Sequence, residues 1–439
     1  MKYIKPTKNK IIIFLLTCFF VLSFTYIRTM FMLPSQITLF DNQEYIYDFK
    51  SPFLVDIKAD NNDILIFESQ DTKVINGYYK LSDPIMFKPQ KLGSVNLNMR
   101  LLGIIPLKTM QVDVVPYREV VACGNTIGVK IKAEGVLVIA LSDFESNDGK
   151  KVLPARDAGI RSGDVIVEIN KTPVDGIHDL ISYLENSKGE KINIKYKRDS
   201  NYHNTKIIPI MSGDSGKYQL GMWLRDSTAG IGTLTFYDPK SGGFGALGHG
   251  ITDIDTGILM PLEKGEIIES SILAVKKGVQ GDPGELKGIL IEDRDSLGII
   301  NSNCDQGIYG TLNENAHSNF SNKLYPIALK NQVKVGSALI MSNIDGKSVE
   351  KYDIEIQKIS TRNINGSKGM IIKVTDERLL DATGGIVQGM SGSPIVQDGK
   401  LVGAVTHVLV NDPTKGYGIF IEWMIKNMDI STRSVKKAS

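Results

Sequence analysis

Cysteine is scarce in this chain: three in 439 residues, at Cys18, Cys123 and Cys304. Cys18 falls inside an apolar run, which leaves one possible pair and excludes a disulfide scaffold, so the thiols read as unpaired and structural. A lipoprotein-acceptor role for Cys18 is disfavoured by Thr17 before it and by the apolar stretch after it. No CxxC and no Cys/His spacing forms a metal set, so neither metal nor cofactor is expected. A surplus of one charge is also missing, with 51 basic against 49 acidic residues and a net charge of +2. Dedicated nucleic-acid binders usually show a basic excess, so nucleic acid is not an expected partner. Histidines number five, few enough that the base for any nucleophile can be sought by elimination.

What is present is β-like. Hydrophobic residues make up 42% of the chain, and its 42 glycines tend to fall between short apolar runs. That punctuation predicts a mainly β protein of two to four domains. Residues 1–10 form a basic tail with Lys2, Lys5, Lys8 and Lys10, and an apolar run extends from Ile11 to Ile27. The pattern is that of a signal anchor over residues 11–30, a helix that crosses a membrane with the N-terminus in the cytoplasm. Residues 31–118 hold short runs such as Phe53-Leu54-Val55 and Ile64-Leu65-Ile66, which predict a small β domain without a catalytic constellation.

Residues 119–212 carry Ala155-Arg156-Asp157-Ala158-Gly159 and then Ser162-Gly163-Asp164-Val165-Ile166-Val167-Glu168-Ile169-Asn170. A short helix, a glycine turn and a strand in this order resemble a PDZ domain. Such domains bind an extended peptide as an added strand and receive its carboxylate in a glycine-containing loop. By that resemblance the loop is Thr126, Ile127 and Gly128, and the partner is a peptide.

Residues 213–430 are predicted as a peptidase domain, followed by a polar tail over 431–439. Its signal is Gly389-Met390-Ser391-Gly392-Ser393-Pro394 before an apolar strand. A tight glycine turn exposes a serine hydroxyl and lets backbone N–H groups converge on an oxyanion. The string resembles the GDSGGP signature of chymotrypsin-like peptidases, with Met390 and Ser393 as departures. That match implies Ser391 as nucleophile, the N–H groups of Gly389 and Ser391 as oxyanion hole, and a double β-barrel. Among the histidines, His178 and His203 lie in the PDZ segment, and His317 lies in a polar stretch. His249, between two glycines and ahead of the serine, is the expected base, and His407 is the runner-up. For the carboxylate the spacing leaves Asp376 and the pair Asp293/Asp295 open, and Asp253 and Asp255 stand too near His249 to support it.

Further segments extend the likeness: Gly103-Ile104-Ile105-Pro106, Arg225-Asp226-Ser227-Thr228-Ala229-Gly230, Gly384-Gly385-Ile386-Val387-Gln388 and Ala404-Val405-Thr406-His407-Val408. With a PDZ domain that precedes the peptidase, the chain resembles the stage IV sporulation protein B peptidases of endospore formers. The resemblance maps the triad onto His249, Asp376 and Ser391. It implies a self-cleaving serine endopeptidase that crosses or is anchored in the forespore inner membrane and works in the intermembrane space. It implies two substrates, the chain's own N-terminal region and a regulator of a membrane-embedded metalloprotease at the opposing membrane. Cleaving that regulator releases processing of a late mother-cell sigma factor. HtrA-like quality control and a non-catalytic PDZ adaptor are the alternatives.

Overall fold

The computed structural model describes residues 8–41, 43–69, 78–199, 201–360 and 366–438. Helix α1 (Lys8–Met32) has neither proline nor glycine to stop it and runs for 25 residues. At 1.5 Å per residue it reaches about 37 Å, against a hydrocarbon layer of about 30 Å. Phe14, Leu15, Phe19 and Phe20 are exposed along it. Two of its hydroxyls are returned to the helix: Thr17 Oγ1 donates to the Ile13 carbonyl at 2.9 Å and Thr25 Oγ1 to Val21 at 2.7 Å. Lipid offers no partner for such groups, so internal satisfaction is what a membrane helix requires. By length and composition α1 is apolar enough to cross a membrane.

Residues through Arg118 make one compact unit. In the strand Gly93–Leu101, Val95, Leu97 and Met99 are buried and alternate with exposed Asn96, Asn98 and Arg100. That period of two buries one face of a five-stranded sheet. A three-stranded sheet (Tyr45–Tyr47, Ile85–Pro89, Leu65–Ser69) supplies Phe87 and Leu65 to the same core.

From Glu119 onward most of the chain forms a second compact unit. Its first barrel has six strands: β1 (Thr126–Leu141), β2 (Met222–Tyr237), β3 (Gly243–Ala246), β4 (Lys264–Lys276), β5 (Gly298–Cys304) and β6 (Gly307–Leu312). The pairing runs β1-β2-β3-β6-β5-β4 and returns to β1, so the ring closes. Ile127, Val129, Ile131, Leu234, Phe244, Ile267 and Ile308 fill it.

The second barrel repeats that order. It comprises β7 (Gly336–Ser342), β8 (Glu350–Ile359), β9 (Met370–Val374), β10 (Pro394–Gln397), β11 (Lys400–Leu409) and β12 (Asp412–Phe420). They close as β7-β8-β9-β12-β11-β10. Ile340, Ile354, Ile372, Ile395 and Ile419 are buried on these strands. A C-terminal helix spans Ile421–Ala438, so the expected polar tail at 431–439 is helical over its described part.

The PDZ domain is not a separate bead before the barrels. β1 breaks register between Lys132 and Leu137, and then pairs Val136 and Leu137 with Ile166 and Val165 of the PDZ sheet. Leu137–Leu141 also pair with Arg225–Met222, the first residues of β2. Both strands therefore cross from barrel to PDZ without a turn. The second compact unit begins at the expected 119, while PDZ and barrel share strands across the border expected at 213. Residues 119–132 belong to the barrel, and Met222–Arg225 complete the PDZ sheet beside helix α2 (Ile177–Asn186). Val136, Val138, Ile166, Leu180, Leu184 and Ile194 share that domain's core.

Candidate active site

The serine turn links β9 to β10 through helix α3 (Glu377–Thr383) and the segment 384–393. Gly389 (φ +96°) and Gly392 (φ +99°) hold backbone conformations that side chains rarely adopt. At Gly392 space forbids a side chain as well, since a β-carbon would lie 2.1 Å from the Thr233 carbonyl oxygen. Two threonines of β2 clamp the turn from the first barrel. Thr233 Oγ1 donates to the Gly389 carbonyl at 2.8 Å, and Thr235 Oγ1 to that of Gly392 at 2.7 Å. Met390 is fully buried beneath it. Ser393 is buried against the Ser342 hydroxyl at 3.1 Å, so only Ser391 of the two serines faces the cleft. Among the described residues, the N–H groups of Gly389 and Ser391 have no acceptor.

His249 follows β3 on a loop in which Leu247 and Gly248 both take positive φ. It lines one cleft of about 750 Å³ together with Ser391, Gly389, Thr406 and His407. Residues 228–231 of β2 form one wall and residues 386–389 the opposite one, so the cleft lies between the two barrels. His249 Nδ1 is 2.9 Å from the Gly250 carbonyl oxygen. A carbonyl only accepts, so Nδ1 carries the hydrogen and Nε2 is bare, the tautomer that a base needs. Burial holds the His249 pKa below the usual value, partly offset by the Gly250 bond, so the ring is neutral near pH 7.

The ring packs against His407 with centroids 4.8 Å apart and planes tilted by 40°. The Ser391 hydroxyl donates to the Thr406 carbonyl at 2.6 Å rather than to a histidine. Nucleophile and base thus share a cleft in a resting arrangement. Apo sites often hold their groups in such loose geometry until substrate tightens them.

His407 was the runner-up base and proves to be a neighbour of His249. Burial, and next the charges of His249 and Lys368, depress its pKa to about 4, and its Nδ1 is buried without a partner. The unfolded chain takes up this proton first, near pH 6.5. Stability is therefore whole above about pH 6.5 and falls as pH drops toward 4. Melting temperatures between pH 7 and 5 are expected to decline, and less so in a His407→Phe chain. Equal declines in both would show that His407 does not titrate on unfolding.

Each candidate carboxylate has its own surroundings in the resting structure. Asp376 caps α3, accepting from the Arg378 N–H at 2.9 Å, from the Arg378 guanidinium at 2.9 and 3.1 Å, and from the Asp353 N–H at 3.2 Å. These bonds, the Arg378 side chain first, hold its pKa below the usual carboxylate range. It is not among the residues lining the cleft. In the resting structure its two oxygens thus serve a helix cap and an arginine. Asp293 and Asp295 are exposed and also lie outside the cleft lining. Asp253 and Asp255 both pair with Arg225.

Thr126, Ile127 and Gly128 are likewise not a peptide-receiving loop. They sit in β1 opposite Thr233, Gly232 and Ile231 of β2, while Ile127 and Gly128 also pair with Glu269 and Ile268 of β4. A strand hydrogen-bonded on both edges cannot accept another. The strand beside α2 is instead Met222–Ser227, entered through Gly221 at φ +76°. Leu220-Gly221-Met222, a glycine opening a strand like Ile127-Gly128-Val129, was the sequence signal that could have found it.

Comparison with known proteins agrees with this architecture. Residues 216–425 match the family model described as SpoIVB peptidase S55, and residues 149–198 match a PDZ domain. Among solved structures, the chain is similar to the PDZ domain of the SdrC-like protein from Listeria monocytogenes (24% identity over 21% of this chain and 90% of that one, TM-score 0.18). It is also similar to the HtrA-type protease AlgW with a decapeptide (11% identity, 48% of this chain and 55% of that one, TM-score 0.28). A third is the Rv3671c protein from M. tuberculosis H37Rv in an inactive form (12% identity, 46% and 82%, TM-score 0.25).

Proposed function

We propose that this chain, a serine peptidase whose residues 216–425 form a SpoIVB-type S55 peptidase domain, is a self-cleaving endopeptidase with Ser391 as nucleophile and His249 as base. The observation that carries the reading is the meeting of His249, Ser391 and Gly389 in one cleft between two closed barrels. Productive binding breaks the Ser391–Thr406 bond and turns His249 away from the His407 ring. Nε2 then takes the hydroxyl proton as Oγ attacks the scissile carbonyl, and later gives it to the leaving amine. The free N–H groups of Gly389 and Ser391 donate to the oxyanion, an arrangement typically worth roughly 3–4 kcal/mol in such sites.

The biological reading follows the family resemblance. The chain is held in the forespore inner membrane by α1, works in the intermembrane space and cleaves its own N-terminal region. It then cleaves a regulator of a membrane-embedded metalloprotease on the opposing membrane, which leads to processing of a late mother-cell sigma factor. The PDZ edge at Met222–Ser227 receives a peptide ligand.

A fluorophosphonate probe tests the nucleophile. Incubation with the full-length chain in detergent should give one adduct, mapped by mass spectrometry to Ser391. An adduct on Ser393, or equal labelling of a Ser391→Ala chain, would refute the assignment.

A further inference from the structure

The loop that follows His249 reaches the PDZ domain, and we infer that Arg225 is a positioning residue for the base, tying that loop to the PDZ strand through Asp253. The inference rests on the reading of His249 and Ser391 above. Arg225 stands in β2 where the strand leaves the PDZ sheet for the barrel: it pairs with Leu137, while Ser227 pairs with Lys132. Its guanidinium bonds the Asp253 carboxylate and, at 2.8 Å, the Asp255 carboxylate, both on the loop between β3 and β4. The Asp253 side chain is fully buried and that of Arg225 largely so.

Asp253 is also the post on which the loop turns. Its Oδ1 accepts from the N–H groups of Asp255 and Thr256 at 3.1 and 2.8 Å, and from the Thr256 hydroxyl at 2.8 Å. Its own N–H donates to the Ile258 carbonyl at 2.8 Å. Burial favours the neutral acid, but the Thr256 bonds and Arg225 outweigh it and hold the Asp253 pKa below the usual carboxylate range. The loop meets the PDZ domain a second time at Ile258, where a β-carbon on Gly163 would stand 2.4 Å from Ile258 Cδ1.

Three residues separate His249 from Asp253, and the chain between them is fixed. The Gly250 carbonyl oxygen lies 2.9 Å from His249 Nδ1, and the N–H of the same peptide unit, that of Ile251, donates to Asn303 Oδ1 at 2.9 Å. The Asn303 amide donates in turn to the Ile251 carbonyl at 2.9 Å. Arg225 secures the far end of this span. Without it the Asp253 charge would be buried unpaired, and moving the loop relieves that cost. A shift of about 1 Å at reacting groups can lower a rate on the order of 10²-fold. The next residue of β2, Asp226, accepts from the Ile177 N–H at 3.0 Å, at the start of α2. Consecutive residues of β2 thus hold the His249 loop and the helix beside the proposed peptide edge.

The test follows fluorophosphonate labelling of the full-length chain in detergent against probe concentration, which separates the maximal rate from the half-saturating concentration. A melting curve accompanies each variant. Arg225→Met is expected to lower the maximal rate by about 10- to 100-fold, with the half-saturating concentration within about threefold of wild type. Arg225→Lys keeps the charge but loses the fork to both aspartates, so it should recover part of the loss, about threefold or more. Asp253→Asn retains Oδ1 and its turn bonds while it severs the ion pair, and it should match Arg225→Met. The double variant should be no slower than the slower single, because both remove one interaction. Ile192→Ala, a truncation in the PDZ core, should lower the melting temperature yet label within about twofold of the wild-type rate. A folded Arg225→Met chain with the wild-type maximal rate overturns the assignment, as does an Ile192→Ala chain slowed equally. If Arg225→Met does not fold, Asp253→Asn decides in the same way. Equal labelling of a Ser391→Ala chain would instead overturn the nucleophile reading beneath it.

Discussion

Replacing Ser391 by alanine is expected to stop self-fragmentation of the full-length chain, with the rate falling by about 10⁶-fold, as loss of a serine nucleophile typically does. The fold should survive the change. The Ser391 side chain makes one hydrogen bond, to the Thr406 carbonyl, and such a bond contributes about 1 kcal/mol net. The turn itself is held by other groups: the Gly392 N–H on the Val405 carbonyl at 2.7 Å, the Ser393 N–H on Met390 at 2.9 Å and the two β2 threonines. Rate and stability are therefore separable at this position. Incubation of purified wild type and Ser391→Ala, followed by gel and by melting curve, measures both. Equal fragmentation of the two would sink the serine mechanism, and the adaptor reading would be favoured instead.

The second large effect concerns the base. His249→Ala is expected to cost about 10⁴- to 10⁶-fold in rate, whereas His407→Phe should stay within about tenfold of wild type, since general-base loss alone exceeds that. The reason lies in the nitrogen atoms. His249 has its Nδ1 hydrogen fixed on Gly250, which leaves Nε2 bare to accept a proton. His407 has a buried Nδ1 with no partner, and its pKa is pressed to about 4, too low for an effective base near pH 7. Phenylalanine at 407 keeps a ring for His249 to rest on. Single-turnover fragmentation rates of the two variants decide the matter. A dead His407→Phe beside an active His249→Ala would exchange the two roles.

The sequence alone points to the candidate nucleophile and base because both sit in glycine turns. Such turns need particular residues at particular positions, and a reader can see them without knowing the fold. Ser391 between Gly389 and Gly392, and His249 between Gly248 and Gly250, are of this kind. The carboxylate is harder to read from sequence, because it needs no special backbone. Asp376 stands at a strand end, where in the resting structure it caps a helix and pairs with Arg378, both local partners.

The PDZ boundary was hidden for a different reason. β1 and β2 each run 16 residues through barrel and PDZ alike, and a strand that crosses a domain border leaves no turn to mark it. The loop expected at Thr126–Gly128 fell on the barrel half of β1. Its counterpart at Leu220–Met222 lay beyond the segment first assigned to the PDZ domain. One strand thus joins the PDZ edge at Met222–Ser227 to the cleft wall at residues 228–231.

A crystal structure of the fluorophosphonate adduct tests the central claim most directly. The expected result is His249 Nε2 within about 3 Å of the phosphonylated Ser391 Oγ, with the phosphonyl oxygen on the N–H groups of Gly389 and Ser391. A His249 ring still bonded to Gly250 and packed against His407, with the adduct oxygen turned to solvent, would contradict it.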